Sequence, residues 1–372
     1  MFEPSPVLNA ARPTVRCSYC HSQLIAPNEL AGEPARVVRI QLGFDSHQRF
    51  PKSLWFLLAI PLLILIVVVL AAVGVLAPAF YSVKRTIQQP TIQPVGGRVP
   101  TKEKTDGFAT VLFEFGREGI GPGMFNDARS IAVDGAGRIY AGEYTGGRIQ
   151  VFDPEGKFIS QWNVGDRKTI LRGLAADRKG TVYVVHGGTI DRYQGETGEK
   201  LKQLQYKQPG FDDVTVTADG GLVTAWQRNR DDIVIFDAGG KALRTITAAI
   251  SSASGDPELN TRVAADGAGN VFALGTFNDG VFKFDREGKF VNRFGGRGDD
   301  PGQFRAAYSI AVDGYGRVYV GDIKGIQVFD GNGRYIARLE AKGVAFGMVF
   351  NDKNELFVVA RDHVTKYSVP PP

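Results

Sequence analysis

The sequence predicts an all-β fold: a six-bladed β-propeller behind one transmembrane helix. Three observations carry this. A turn-and-strand pattern recurs six times downstream of residue 107. Its period is about 40–45 residues with several short strands in each, which is the spacing of propeller blades. Ahead of the repeats lies an uncharged apolar run long enough to cross a bilayer.

The repeats are clearest in Ile131-Ala-Val-Asp134-Gly-Ala-Gly-Arg-Ile139-Tyr140 and Ile310-Ala-Val-Asp313-Gly-Tyr-Gly-Arg-Val318-Tyr319. Four weaker copies centre on Asp177, Thr217, Asp266 and Asn351. In all six, the polar turn residue precedes the next apolar strand residue by five positions. Successive turns are 43, 40, 49, 47 and 38 residues apart. A second strand pair follows in each unit, as in Arg148-Ile-Gln-Val-Phe-Asp153 before Gly156-Lys157-Phe158. Period-two alternation gives a sheet with one face toward each neighbouring blade. The Asp-x-x-Gly stretch is turn chemistry, with Asp bonding the backbone ahead and Gly supplying positive φ. Each blade is therefore expected to hold four antiparallel strands. The last unit, about 344–369, has only three of its own. The segment Thr110–Phe115 is expected to supply its fourth, closing the ring and removing its exposed edge.

These same residues resemble the NHL repeat: apolar-Ala-Val-Asp-x-x-Gly-x-apolar-Tyr-Val, then Arg-Ile-Gln-Val-Phe-Asp-x-x-Gly. The leader Phe115-Gly-Arg-Glu-Gly … Pro122-Gly-Met-Phe125 recurs as Phe294-Gly-Gly-Arg-Gly … Pro301-Gly-Gln-Phe304 and is similar to that family's inter-blade linker. The resemblance covers about 107–370 and is strongest in blades one and five.

Four regions follow: a tail at 1–52, a transmembrane helix at 53–80, a linker at 81–106 and the propeller at 107–372. Ser53 to Val83 carries no charge, and Trp55 and Tyr81 stand where interfacial aromatics belong. Pro61, Gly74 and Pro78 are tolerated in such a helix. A cleaved signal peptide fits poorly, because the run is long and starts after 52 residues. The Pro- and Gly-rich linker has no apolar period and reads as an extended tether.

Both cysteines lie in Cys17-Ser-Tyr-Cys20-His21. The motif resembles one knuckle of a zinc ribbon, so Cys17 and Cys20 are candidate zinc ligands in an incomplete site. His21, His47 or a second chain would have to complete it. Haem attachment through Cys-x-x-Cys-His and a redox dithiol stay open as alternatives. Basic residues flank both ends of the span and leave its orientation undecided. A zinc knuckle belongs in a reducing cytosol, which favours tail inside and propeller outside, in the plasma membrane.

The formal charge of +5 sits entirely in residues 1–106, which hold 11 Lys+Arg and 6 Asp+Glu, leaving 33 of each for the propeller. A neutral propeller argues against a nucleic-acid partner.

Propeller ligands gather over the central channel. Counting four and five residues back from each turn places Arg129, Arg172, Asp212, Asp213, Arg262 and Tyr308 at one mouth, with Ser130, Ser309 and Phe346 beside them. That set suits a protein or a small polar ligand; the plainer expectation is that the charges pair with one another. A second ring follows each second strand: Glu143, His186, Trp226, Gly275, Asp322 and Ala360. The NHL resemblance implies an Asp there that caps a loop. His186 and Trp226 depart from it and are expected to contact ligand.

The function read from this is a non-catalytic binding, sensor or scaffold module. The alternative is a membrane-bound, metal-dependent hydrolase or lyase. The peptide-amidating lyase, a similar propeller, uses several histidines around a metal; this propeller has only His186 and His363, in different blades. Lactonase-type propellers use a Glu, Asn and Asp set, which Glu143, Asp212 and Asp322 would imitate. No nucleophile elbow, P-loop or His-Glu-x-x-His is present.

Overall fold

The structure, a computed structural model, describes Thr14–Arg16, Gln23–Ile25 and residues 105–372 apart from 167 and 229. The chain divides into two compact units, Met1–Gly96 and Gly97–Pro372. In the first, Thr14–Arg16 pairs antiparallel with Gln23–Ile25, Val15 opposite Leu24. Cys17, Cys20, the expected span at 53–80 and the tether as far as residue 104 lie outside the described residues. Among the described residues no helix is long and apolar enough to cross a membrane.

The second unit is all-β and consists of six antiparallel sheets. Blade one is Ala128–Val133, Ile139–Glu143, Arg148–Phe152 and Phe158–Asn163. Blade two is Leu171–Ala176, Thr181–His186 and Thr189–Gln194. Blade three is Phe211–Val216, Leu222–Gln227, Asp231–Phe236 and Ala242–Ile246. Blade four is Thr261–Ala265, Val271–Gly275, Gly280–Phe284 and Phe290–Gly295. Blade five is Ala307–Val312, Val318–Asp322, Gly325–Phe329 and Tyr335–Leu339. Blade six joins Gly347–Phe350, Glu355–Ala360 and His363–Ser368 to Ala109–Phe115 from the other end of the repeats. Val364 lies opposite Phe115 and Ser368 opposite Thr110, so the expected closure is present. Thr105–Asp106 adds a short fifth strand outside it.

Blade two departs from the four-strand expectation. Its outer position is held by an irregular segment, where Leu201 N donates to the Arg192 carbonyl at 2.7 Å and Leu204 N to that of Ile190 at 3.1 Å. Gly195 and Gly198 pack where a Cβ would strike Tyr140 and Trp162, so the turn hugs blade one rather than extending as a strand.

The Asp-x-x-Gly turns show why the motif has its spacing. Asp313 Oδ1 accepts from the Tyr315 and Arg317 amides at 3.0 and 2.9 Å. Its Oδ2 takes the Arg317 Nε at 2.6 Å and the Tyr319 hydroxyl at 3.1 Å. Gly316, at φ +79°, turns the chain back in a conformation that side chains disfavour. Asp134 repeats the set with Arg138 and Tyr140. Burial and the neighbouring Asp raise both tyrosine hydroxyls well above the ordinary phenol range.

The core is six clusters, each between two neighbouring blades. Second strands such as Val318–Asp322 are buried along their whole length because both faces meet a neighbour. Innermost strands touch one another in order around the ring, leaving a central channel.

Candidate functional site

The mouth of that channel is built by irregularities in strand pairing. In blade one the register shifts between Ala128 and Ser130, so Arg129 is an extra, unpaired residue. The same shift isolates Tyr308 in blade five and Asp212 in blade three. In blade two His186 pairs with Leu171 and Val185 with Gly173, which leaves Arg172 extra. A β-bulge bends the strand and re-aims its side chain. Four of the predicted site residues therefore project at one end of the ring for a common reason. Arg262 sits in regular pairing with Leu274 instead.

The channel has a volume of about 680 Å³, and Arg129, Arg172, Asp213, Arg262, Tyr308 and Phe346 line it. Asp212 faces a neighbouring lateral depression that it shares with Arg172 and His186. The mouth charges are paired, as the plainer expectation held. Arg129 holds Asp127 through Nε and Nη2 at 2.9 and 2.8 Å, and Arg361 Nε joins at 3.1 Å. Burial works to raise the Asp127 carboxyl, but the bonds and charges of the two arginines hold it below its ordinary value. The Arg129 guanidinium lies 4.1 Å from the Tyr144 ring centre and 5.0 Å from that of Phe346. Phe346 in turn packs on Tyr308 at 5.2 Å.

Across the channel Arg172 approaches Asp212 at 3.4 Å, and Arg262 approaches Asp213 at 3.7 Å. Arg262 Nη1 also donates to the Arg172 carbonyl at 2.7 Å. Burial pushes the Asp213 carboxyl up to about 6, against the charge of Arg262 and the amides of Val263 and Val214. Burial raises Asp212 as well, against Arg172 and Arg262. The mouth thus has a cation-aromatic sector and a sector of paired arginines and proton-accepting carboxylates.

The second ring behaves less uniformly. Glu143 Oε1 accepts from Asn126 N at 2.8 Å and Arg148 Nη2 at 2.6 Å. Asp322 accepts from the Arg305 and Lys324 amides at 2.7 and 2.9 Å. Both cap loops. His186 Nε2 contacts Asp191 at 2.9 Å, beside Lys200 at 2.6 Å, and the ring borders the lateral depression. Trp226 corrects the expectation of ligand contact: it is 8% exposed and packs edge-on to Tyr206. Its Nε1 donates to the Gln208 carbonyl at 3.1 Å, so the indole is a strut between blades two and three.

Sequence reading missed Asp127, Tyr144 and Arg361, because Arg361 reaches Asp127 from the far end of the chain. It also missed Gln150 and Gln327, which the recurring Ile-Gln-Val-Phe signalled. Gln150 takes the Gly123 amide at 2.8 Å and donates to the Met124 carbonyl at 2.7 Å. Gln327 does the same to Gly302 and Gln303. Each pins the Pro-Gly-x-Phe leader loop to its blade.

Glu143, Asp212 and Asp322, the residues that would imitate a lactonase set, do not come together. Among the described residues no three His, Cys, Asp or Glu side chains group so as to hold an ion. Glu143 and Asp322 are spent on their own loops, and Asp212 belongs to a third blade. His363 is likewise committed, to Asp362 at 2.7 Å and the Lys342 carbonyl at 3.0 Å.

No protein-family model matches the chain. A human protein, NHL repeat-containing protein 3, is 39% identical over 54 residues, a stretch spanning 14% of this chain and 16% of that protein. Among solved structures, a gluconolactonase from Xanthomonas campestris superposes with a TM-score of 0.52 at 15% identity, covering 77% of this chain and 96% of that one. A gluconolactonase-like structural-genomics protein superposes at 0.53 with 11% identity, covering 68% and 92%. At such identities the likeness is one of fold.

Proposed function

We propose that this propeller is a non-catalytic binding module that recognises a charged or polar partner at its channel mouth. One observation carries the reading: pairing irregularities in four blades turn Arg129, Arg172, Asp212 and Tyr308 toward the same end of the ring. Each mouth arginine is held in place by a carboxylate, so little side-chain freedom is lost on binding. The match to an NHL-repeat protein supports a binding role. In the same proposal, the apolar run at 53–80 anchors the chain in the plasma membrane, with the propeller outside and Cys17 and Cys20 on the cytoplasmic side, open to zinc.

The test is a photo-crosslinking residue in place of Tyr308 in the full chain. We expect adducts that disappear when Arg129, Arg172 and Arg262 become Ala. Tyr315, in a turn at the opposite end of blade five, is the control position. Equal adducts from both positions, or adducts unchanged by the arginine substitutions, would refute the mouth as the site. Stoichiometric Ca, Zn or Mg in the purified chain, with an activity lost on chelation, would favour the hydrolase or lyase alternative.

A further inference from the structure

The sector between blades three and four carries features that the mouth arginines do not explain. The turn spacing there is the longest of the five, 49 residues from Thr217 to Asp266. The extra chain forms a loop on the mouth side between Ile246 and Thr261, with one short helix, Ser251–Ser254. Insertions in repeat folds fall on loops of one face, often the binding face. Two buried carboxylates hold this one. Asp231 accepts the Ile250 and Ser251 amides at 2.6 and 2.8 Å. Glu258 accepts those of Leu259, Asn260 and Asn278 at 3.0, 2.9 and 3.1 Å, and that of Phe277 at 3.3 Å.

The loop and the turn beside it each present one large apolar side chain, with Asp256 exposed nearby. Leu259 is 63% exposed and Phe277 64%. Their amides reach the same Glu258 oxygen, so the two side chains leave the backbone from neighbouring points. A fixed loop and the neighbouring turn at 276–279 that each hold a large apolar group in water have the form of an interface anchor. Beside them is positive charge. Gln227 Nε2 bonds the Glu258 carbonyl, and Arg228 and Arg230 follow in the next turn. Both are exposed and have no acidic partner among the described residues. Arg262, three residues after Leu259, leads from the patch into the channel.

A second observation points to the same sector. Six buried side-chain polar atoms among the described residues lack a hydrogen-bond partner, and four of them belong to Gln227, Asn260, Thr261 and Arg262. Buried polar atoms are normally satisfied, so their concentration here sets this sector apart from the rest of the ring.

Resting on the binding reading above, we infer that the blade three–four sector docks a protein segment that combines a large apolar side chain with acidic residues. The apolar side chain seats on Leu259 and Phe277. The carboxylates meet Arg228 and Arg230 on one side and Arg262 at the channel on the other. A lipid surface is the less favoured occupant, because Arg262 lines the channel and its side chain is largely buried.

The full chain is selected against a random peptide display library, and a synthetic peptide of an enriched sequence is titrated. Enriched peptides should pair a large apolar residue with Asp or Glu. Leu259→Ser with Phe277→Ser, and separately Arg228→Glu with Arg230→Glu, should each weaken binding by about tenfold or more. These are surface positions, and an unchanged melting temperature shows that the variants fold. Basic or purely polar enriched peptides, no enrichment, or full binding by both variants would overturn the inference. Full binding by the patch variants with loss in Arg129→Ala, Arg172→Ala would leave the mouth reading standing alone. Full binding by both sets would remove both. A preference for phosphatidylglycerol over phosphatidylcholine vesicles that the patch substitutions abolish would assign the sector to lipid, and would also overturn it.

Discussion

Replacing Asp313 by Ala tests whether the repeat turn is an energetic feature or only a conformational one. Asp313 is buried, and its two oxygens accept four hydrogen bonds. Alanine would leave two amides, the Tyr319 hydroxyl and the Arg317 guanidinium without their acceptor. Arg317 keeps its 2.7 Å bond to the Pro370 carbonyl, but its side chain is only 7% exposed and its charge would lose its counter-ion. Breaking a buried ion pair from one side costs about 3–5 kcal/mol. Asp330 provides the internal reference. It makes the same two turn bonds, to the Asn332 and Arg334 amides at 3.0 and 2.9 Å. Its arginine is 85% exposed, so only about 1 kcal/mol is at stake in the turn bonds. At about 2–4 °C per kcal/mol for a domain of this size, Asp313→Ala should lower Tm by roughly 6–20 °C and Asp330→Ala by no more than about 4 °C. Thermal melts of the two variants followed by circular dichroism are enough. Equal shifts would refute the reasoning, because they would mean that the buried Asp–Arg–Tyr set adds nothing to the turn.

Other outcomes follow from the same geometry. Asp213 is a carboxyl whose folded pKa, about 6, lies above its ordinary value of 3.8. The folded state then binds the proton more tightly than the unfolded state, so its contribution favours folding at low pH and is lost as pH rises between about 4 and 6. Asp213→Asn should flatten that part of the stability curve in urea melts across pH; an unchanged slope would contradict the assignment. Gln150→Leu with Gln327→Leu should free both leader loops, seen as faster amide exchange at Gly123 and Gly302 with the strands still protected. Trp226→Phe should cost about 1 kcal/mol for its lost bond and leave mouth crosslinking unchanged; a binding defect in a folded protein would restore the indole as a contact. Protease added to intact cells should digest the propeller, and protection there with digestion in inverted vesicles would reverse the proposed orientation.

The ring was legible because blade geometry repeats at the level of single residues. A polar turn residue five positions before an apolar one located every second strand. The absence of a fourth strand after His363 pointed to Thr110–Phe115. Counting back from the turns found the mouth for the same reason, since innermost strands start at one offset. The count gives position along a strand but not which way a side chain faces. That is why Trp226, at the ring position of Glu143 and Asp322, lies in the inter-blade core instead. The outer edge of blade two was illegible because Gly195 and Gly198 interrupt the alternation that marks a strand. The second ion pair on Asp127, from Arg361, depends on closure of the ring, which local pattern cannot supply.

That closure sets a schedule for synthesis. Val364 and Phe115 face each other across the seam, 249 residues apart in the chain. At about 5–20 residues per second, the first of these strands leaves the ribosome tens of seconds before its partner exists. Throughout that interval Ala109–Phe115 offers an unpaired edge bearing Leu112 and Phe113. Five blades can assemble in turn as they emerge, yet none of them can complete the ring. A nascent chain stopped anywhere before His363 would carry an open edge, and cellular quality control would meet it as an unfinished protein.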